Sequence, residues 1–230
     1  MELSTDPSVV RGETIGETWL KCVAQVLQYG VPEHDEDVEI IELLGLSLEV
    51  ARPHWHDPII EALGDPGVSA RMLAKFSKGV SMPDRSFTYG ERIYALSGID
   101  QFEWLIHRLR FKRETKSATI GLLVPGSDAP NPPCLTTLDA KIRKDRLELQ
   151  FFFRSQNILG RQYANLLALA KLQADLAARC EVTPGGLRGY VASAHIYAFD
   201  VPQARELLSG GHVAIRDQYY ARGPHSVRRS

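Results

Sequence analysis

The chain has 230 residues, of which 44% are hydrophobic and 24% charged, with a formal net charge of −1. That length supports one sizeable core. The near-neutral balance argues against nucleic acid or an anionic membrane surface as partner, and no apolar run reaches the roughly 20 residues of a membrane span. Three cysteines, Cys22, Cys134 and Cys180, form an odd, sparse set that suits reduced thiols rather than a disulfide framework. No Cys/His spacing suits zinc, so no metal site is expected. The polar stretch Met1 to Arg11 has no signal-peptide core, so a cytoplasmic location is expected.

In chain order, residues 1–12 read as a loose leader. Glu13 to Tyr29 places Ile15, Trp19, Cys22, Val23, Val26 and Leu27 on one helical stripe that ends at Gly30. Pro32 to Asp37 reads as an acidic turn, and Val38 to Val50 as a strand buried on both faces. Pro58 to Phe76 suggests helical segments interrupted at Gly64–Gly67. Ile99 to Arg113 suggests an amphipathic helix with Phe102, Leu105, Ile106 and Leu109 inward. Lys116 to Val124 reads as a strand. Leu135 to Ile142 and Leu147 to Phe153 alternate as a hairpin through Arg143-Lys144-Asp145-Arg146. Gly160 to Cys180 is the strongest helix, Leu187 to Ala198 a final strand, and Pro202 to Leu208 a short helix. One domain over 13–209 follows, with an unassigned tail at 210–230. The order is that of an α+β fold, a mixed sheet carrying one long helix.

Several chemistry-bearing residues recur at fixed offsets: Cys134 in Asn131-Pro132-Pro133-Cys134-Leu135, Arg154 and Ser155 in Phe153-Arg154-Ser155-Gln156-Asn157, Asn165, and His195 with Tyr197. A hairpin turning near Lys144 brings Cys134 level with Arg154, since 144 − 134 equals 154 − 144. A guanidinium beside a thiol favours the thiolate, the attacking species. Read without further context, each residue has an ordinary structural alternative: a buried strand cysteine, a solvated arginine, a helix-capping asparagine, an aromatic pair on a sheet face.

Together these segments resemble the thymidylate synthase family, and the Pro-Pro-Cys-Leu form is most similar to its short archaeal-type branch. Phe87-Thr88-Tyr89-Gly90-Glu91-Arg92 is similar to the family segment that enters a helix near the nucleotide, which brings Tyr89 into the set. The resemblance implies a sheet whose outer face packs against its twin in an obligate homodimer. It implies C5 one-carbon transfer to a pyrimidine nucleotide from 5,10-methylenetetrahydrofolate, most like conversion of dUMP to dTMP, through a covalent Cys–C6 adduct. In that reading Cys134 is the nucleophile, Arg154 and Ser155 hold phosphate, Asn165 reads the base edge, and His195 and Tyr197 hold the sugar hydroxyl. Asn157 stands at the cofactor position, and Glu61 is the candidate proton relay. A cytosine-specific hydroxymethylase and a secondary-metabolism paralogue acting on an altered nucleotide or nucleoside are the rival enzyme readings. A non-catalytic nucleotide-binding dimer has no physical need of the thiol.

The departures from the family pattern are also informative. Ser117-Ala118-Thr119 replaces a Ser-Arg-Arg segment, and the loop His34-Asp35-Glu36-Asp37 is acidic where the family carries an arginine. A weakened phosphate site is therefore expected unless Lys112, Arg113, Lys116 or Arg161 substitutes. Asn157 stands where the family has aspartate. A freely rotating carboxamide at 165 serves either the uracil or the cytosine edge, whereas aspartate would suit the cytosine amino group, so Asn165 tilts the reading toward uracil.

Overall fold

The computed structural model describes residues 6–82, 87–126 and 132–210. Asn131 and the tail beyond 210 lie outside those residues.

Helix α1 (Ile15–Tyr29) forms where expected, capped by Thr14, whose side chain accepts the Glu17 N–H. Trp19, Cys22, Val23 and Val26 are buried along it. The buried carboxylate of Asp57 accepts the Gly16 N–H at 2.8 Å and also caps α2 (Pro58–Leu63), so one side chain satisfies orphan donors of two helices. Helix α3 (Pro66–Phe76) starts at the expected Pro-Gly break behind its own aspartate cap. A capping box at Thr88 and Glu91 starts α4 (Tyr89–Ala95). In α5 (Gln101–Phe111), Phe102, Leu105, Ile106 and Leu109 are the buried residues, as their spacing predicts.

A mixed sheet carries the fold. Its order is β1 (Val9–Gly12), β3 (Val38–Val50), β8 (Thr183–Tyr197), β6 (Arg146–Phe153), β5 (Leu135–Arg143), β4 (Thr119–Gly121), with β2 (Val31–Asp35) also on β3 and β7 (Gln156–Asn157) also on β8. Strand β3 (Val38–Val50) holds β2 (Val31–Asp35) antiparallel at one end and β1 (Val9–Gly12) parallel at the other. Residues 9–12, read above as leader, are therefore a strand, and the acidic turn shrinks to Glu36-Asp37 between β2 and β3. Strand β3 is not buried on both faces either. Leu46, Leu48 and Val50 are buried, Ser47 and Glu49 alternate with them as half-buried residues, and Leu44 is 68% exposed.

The β5 (Leu135–Arg143) to β6 (Arg146–Phe153) hairpin turns on two residues, Lys144 and Asp145, both with positive φ. That is the tight turn whose twist matches its strands, and it makes Arg143 and Arg146 the last pair rather than turn residues. A two-residue turn alone would shift the far end by one. An irregularity between Leu135 and Thr137 takes up that residue, so the Arg154 N–H donates to the Cys134 carbonyl at 2.8 Å. Strand β4 (Thr119–Gly121) is shorter than expected.

Long β8 (Thr183–Tyr197) pairs parallel with β6 and then with β7 (Gln156–Asn157). Arg154-Ser155 is the break between them in one lane of the sheet. Helix α6 (Gln162–Arg179) lies against β6, β8 and α3 with most of its residues buried, and a 3-10 turn (Ala198–Asp200) leads into α7 (Val201–Leu208).

Candidate functional site

The site forms where the ladder beside β8 opens. Register fixes one row across the sheet: Glu42 of β3, His195 of β8 and Asn157 of β7 are lateral partners, so their side chains share a face. Tyr197, two residues on, lies on that face too, and the His195 and Tyr197 rings meet edge-on at 5.3 Å. Ser155 Oγ lies 3.4 Å from His195 Nδ1. The loop behind the row is anchored from α1, where Trp19 Nε1 donates to the Ile158 carbonyl at 3.0 Å.

Cys134 is half-buried, whereas Cys22 and Cys180 are buried. Burial pushes the Cys22 thiol up to about 12, against a lowering contact from Gln162. Burial also raises Cys180, opposed by Arg110, Arg113 and Arg179. Neither is a ready thiolate. Cys134 opens onto a small cleft with Lys75, Phe87, Tyr89, Arg92, Pro132 and Pro133.

Tyr89 lines this cleft, and its hydroxyl accepts the Leu135 N–H at 3.2 Å. Gly90 permits the approach of α4 to the end of α3, because a Cβ there would sit 2.1 Å from the Ser77 carbonyl oxygen.

Arg154 is where the hairpin arithmetic puts it, but its guanidinium acts on backbone. Nη2 donates to the Pro132 carbonyl at 2.8 Å and Nε to Pro133 at 3.1 Å. It clamps the segment that presents the thiol.

Asn165, on the first turn of α6, is 6% exposed. Its Nδ2 donates to the Arg161 carbonyl at 3.1 Å, while its Oδ1 is buried with no hydrogen-bond partner among the described residues. A carbonyl only accepts, so the amide cannot flip without setting two acceptors against each other. The free rotation expected from sequence is thus removed, and a buried acceptor is held out for a donor.

Asn157 uses one of its two acceptor lone pairs within the fold. Its Oδ1 takes the Gly160 N–H at 2.9 Å, bracing the turn into α6.

Glu61 lies on α2, its side chain 63% exposed and 3.4 Å from His56. Arg113 is remote from Cys134. It pairs with Asp145 in the hairpin turn at 2.8 Å, about 30 Å along the strands from Cys134 at some 3.3 Å per residue. Lys112 faces Glu114 at 4.0 Å. Ala118 is fully buried, and Thr119 bonds Asp139. Of the four substitute cations considered, Arg161 stands among the site residues, at the start of α6.

Lys75 and Arg92 were missed. Arg92 is one helical turn beyond Tyr89, a spacing that places both on one face of α4. It is 5% exposed and donates from Nη1 to the Leu122 carbonyl at 2.7 Å. Lys75 comes from α3, its ammonium 4.3 Å from the Tyr89 ring centroid, and nothing in its sequence neighbourhood signals this.

Burial holds His195 below the ordinary imidazole range, against the opposing pull of the Asp35 and Glu42 carboxylates and a backbone bond at Ser193. The unfolded chain then binds the proton more readily than the folded one. Stability is fully present above the unfolded value, about 6.5, and is lost as pH falls through it toward the lower folded value. Urea unfolding of the wild type between pH 7 and 5 should show that loss, and His195→Asn should flatten it. An equal slope in both proteins would contradict the assignment.

A half-buried thiol, an arginine clamping its loop, a buried asparagine and a His-x-Tyr pair are thus carried on a mixed sheet with helices packed against it. The thymidylate synthase family profile matches residues 70–215. A protein named "Putative thymidylate synthase" from Methanopyrus kandleri is 31% identical over 207 residues, covering 85% of this chain and 96% of its own. One of the same name from Methanococcoides burtonii is 29% identical over 210 residues, covering 88% and 95%. The thymidylate synthase of Enterobacteria phage T4 is 26% identical over 122 residues, 52% of this chain and 43% of its own. The chain belongs to the thymidylate synthase family, a class of methyltransferases, and membership supports methyl transfer to C5 of a pyrimidine in general. Among the described residues, no helix is long and apolar enough to cross a membrane.

Proposed function

We propose that the chain transfers a one-carbon unit to C5 of a uracil nucleotide or nucleoside through a covalent adduct on Cys134. The Cys134 thiolate adds to C6 of the ring, and C5 becomes the nucleophile. Arg154 fixes the loop that presents the thiol. Tyr89 fixes the strand that follows it. His195 and Tyr197 take the sugar, with Ser155 behind His195.

The observation that carries this reading is the buried, unpartnered Asn165 Oδ1. The N3–H of uracil is the donor such an acceptor lacks, and the second hydrogen of Nδ2 suits O4. A buried acceptor left without a donor costs about 1–3 kcal/mol, which a matching base removes.

5,10-Methylenetetrahydrofolate is the one-carbon donor we propose on the family alone. Asn157 Oδ1 already accepts the Gly160 N–H, which leaves it one further lone pair for a pterin donor.

The homodimer is part of the same proposal. It is supported by the exposed sheet face, where Phe152 and Tyr190 stack at 5.4 Å beside Arg188 and Glu49.

Incubation with methylenetetrahydrofolate and a panel of uracil and cytosine nucleosides and monophosphates, read by mass spectrometry, tests the function. A methyl gain on a uracil compound is expected. A hydroxymethyl gain confined to a cytosine compound would replace this reading with hydroxymethylation.

A further inference from the structure

The cleft at Cys134 brings two cations, Lys75 and Arg92, to one phenol, and no carboxylate lines it among the described residues. Tyr89 is 5% exposed, its ring 4.7 Å from that of Phe76. The half-buried Lys75 holds its ammonium 4.3 Å from the centroid of the Tyr89 ring. The Tyr89 oxygen accepts the Leu135 N–H at 3.2 Å. Of the other charged groups beside it on α4, Glu91 turns to the helix start, where it accepts the Thr88 N–H at 2.6 Å. Arg92 donates to the Leu122 carbonyl.

Replacement at C5 needs two events at that carbon. A bond forms to the one-carbon unit, and the C5–H bond then breaks. The electron pair of that bond passes into the ring as the enolate of C4, and the proton goes to a base. Cys134 is by then bonded to C6, and Lys75 and Arg92 already carry their protons. The Tyr89 oxygen is the remaining side-chain base among the described lining residues. A phenol acts as a base only in its ionised form, a small fraction near neutral pH. A donor N–H on the oxygen and a cation beside the ring both favour that form, against the burial that disfavours it.

We propose that Lys75 is a positioning residue for loss of the C5 proton: its charge, held over the Tyr89 ring, keeps the Tyr89 oxygen ready to receive that proton. This rests on the reading of the chain as a C5 transferase with Cys134 at C6, and assigns one further step of that reaction. A cation about 5 Å from a phenolate raises its population about fourfold in bulk water, and more in a half-buried cleft.

The test uses the full chain with methylenetetrahydrofolate and uridine, 2′-deoxyuridine or their 5′-monophosphates, carrying hydrogen or deuterium at C5. Wild type, Lys75→Met and Lys75→Arg are compared by kcat from neutral to alkaline pH. Lys75→Met should lower kcat at neutral pH by about fourfold or more and recover toward wild type in alkali. Its deuterium effect on kcat should be larger than the wild-type one, because proton loss has become slower. Lys75→Arg, which restores the charge, should return both readouts toward wild type. In a Tyr89→Phe background Lys75→Met should move neither. Wild-type kinetics in Lys75→Met overturn the inference. So does a loss equal at every pH with an unmoved deuterium effect, which is the mark of a structural residue, or an effect that persists in Tyr89→Phe. In each of those cases product formation by the wild type leaves the C5 reading standing. Product from none of the four compounds overturns that reading and this inference together.

Discussion

Replacing Cys134 with serine should lower turnover by roughly 10⁴-fold or more, the scale on which removal of a covalent nucleophile acts, with melting temperature and oligomeric state unchanged. A serine hydroxyl is far less ionised at neutral pH than a thiol, so addition to C6 fails while binding survives. Little structural cost is expected, because Cys134 is only partly buried and the Arg154–Cys134 pair is made through backbone. A 5-fluoropyrimidine substrate with the folate should give a covalent adduct on the wild type that peptide mapping places at Cys134. Mapping to Cys22 or Cys180, or full activity in Cys134→Ser, would show the nucleophile to be elsewhere. The two other thiols make that outcome physically costly, since burial raises both away from the thiolate.

The pairing of Cys134 with Arg154 was legible in the sequence because a hairpin is a local object whose register follows from strand length and turn. Even so, the counting came out right through two offsetting features, a two-residue turn at Lys144-Asp145 and an irregularity near Thr136. The helices were legible because their apolar spacing and their caps agree, as at Thr14, Asp57 and Asp65.

Strands β1 and β2 were not legible. Each is short, and β2 contains Pro32, Glu33 and Asp35, residues with little intrinsic preference for strands. They exist because β3 offers a long edge that needs partners, which is information from elsewhere in the chain. Glu61 rests on resemblance alone, since neither its exposure nor its place beside His56 has a signal in the sequence. Lys75 reaches the thiol cleft only because Gly90 lets α3 and α4 meet, a long-range packing fact with no local signature.

The identity of Asn165 was readable; its orientation was not. A carboxamide in isolation serves a uracil edge or, turned over, a cytosine edge. The Arg161 carbonyl removes that choice by taking Nδ2, and the buried Oδ1 is left requiring a donor. Asn165→Asp changes this balance at two points. An ionised carboxylate has no hydrogen for the Arg161 carbonyl and none for O4 of uracil, whereas it accepts well from the exocyclic amino group of cytosine. Each mismatched buried group costs on the order of 1–3 kcal/mol, so the uracil-to-cytosine ratio of kcat/KM should fall by roughly 10- to 100-fold in the variant. The absolute activity of the variant is also expected to drop, since the carboxylate faces the Arg161 carbonyl, and the ratio separates that general loss from a change in base choice. Asn165→Leu serves as the control: it removes acceptor and donor together, so both bases should weaken with little change in their ratio. A wild type that already favours cytosine, or a ratio unmoved by Asn165→Asp, would sink the base assignment and favour a hydroxymethylase acting on cytosine.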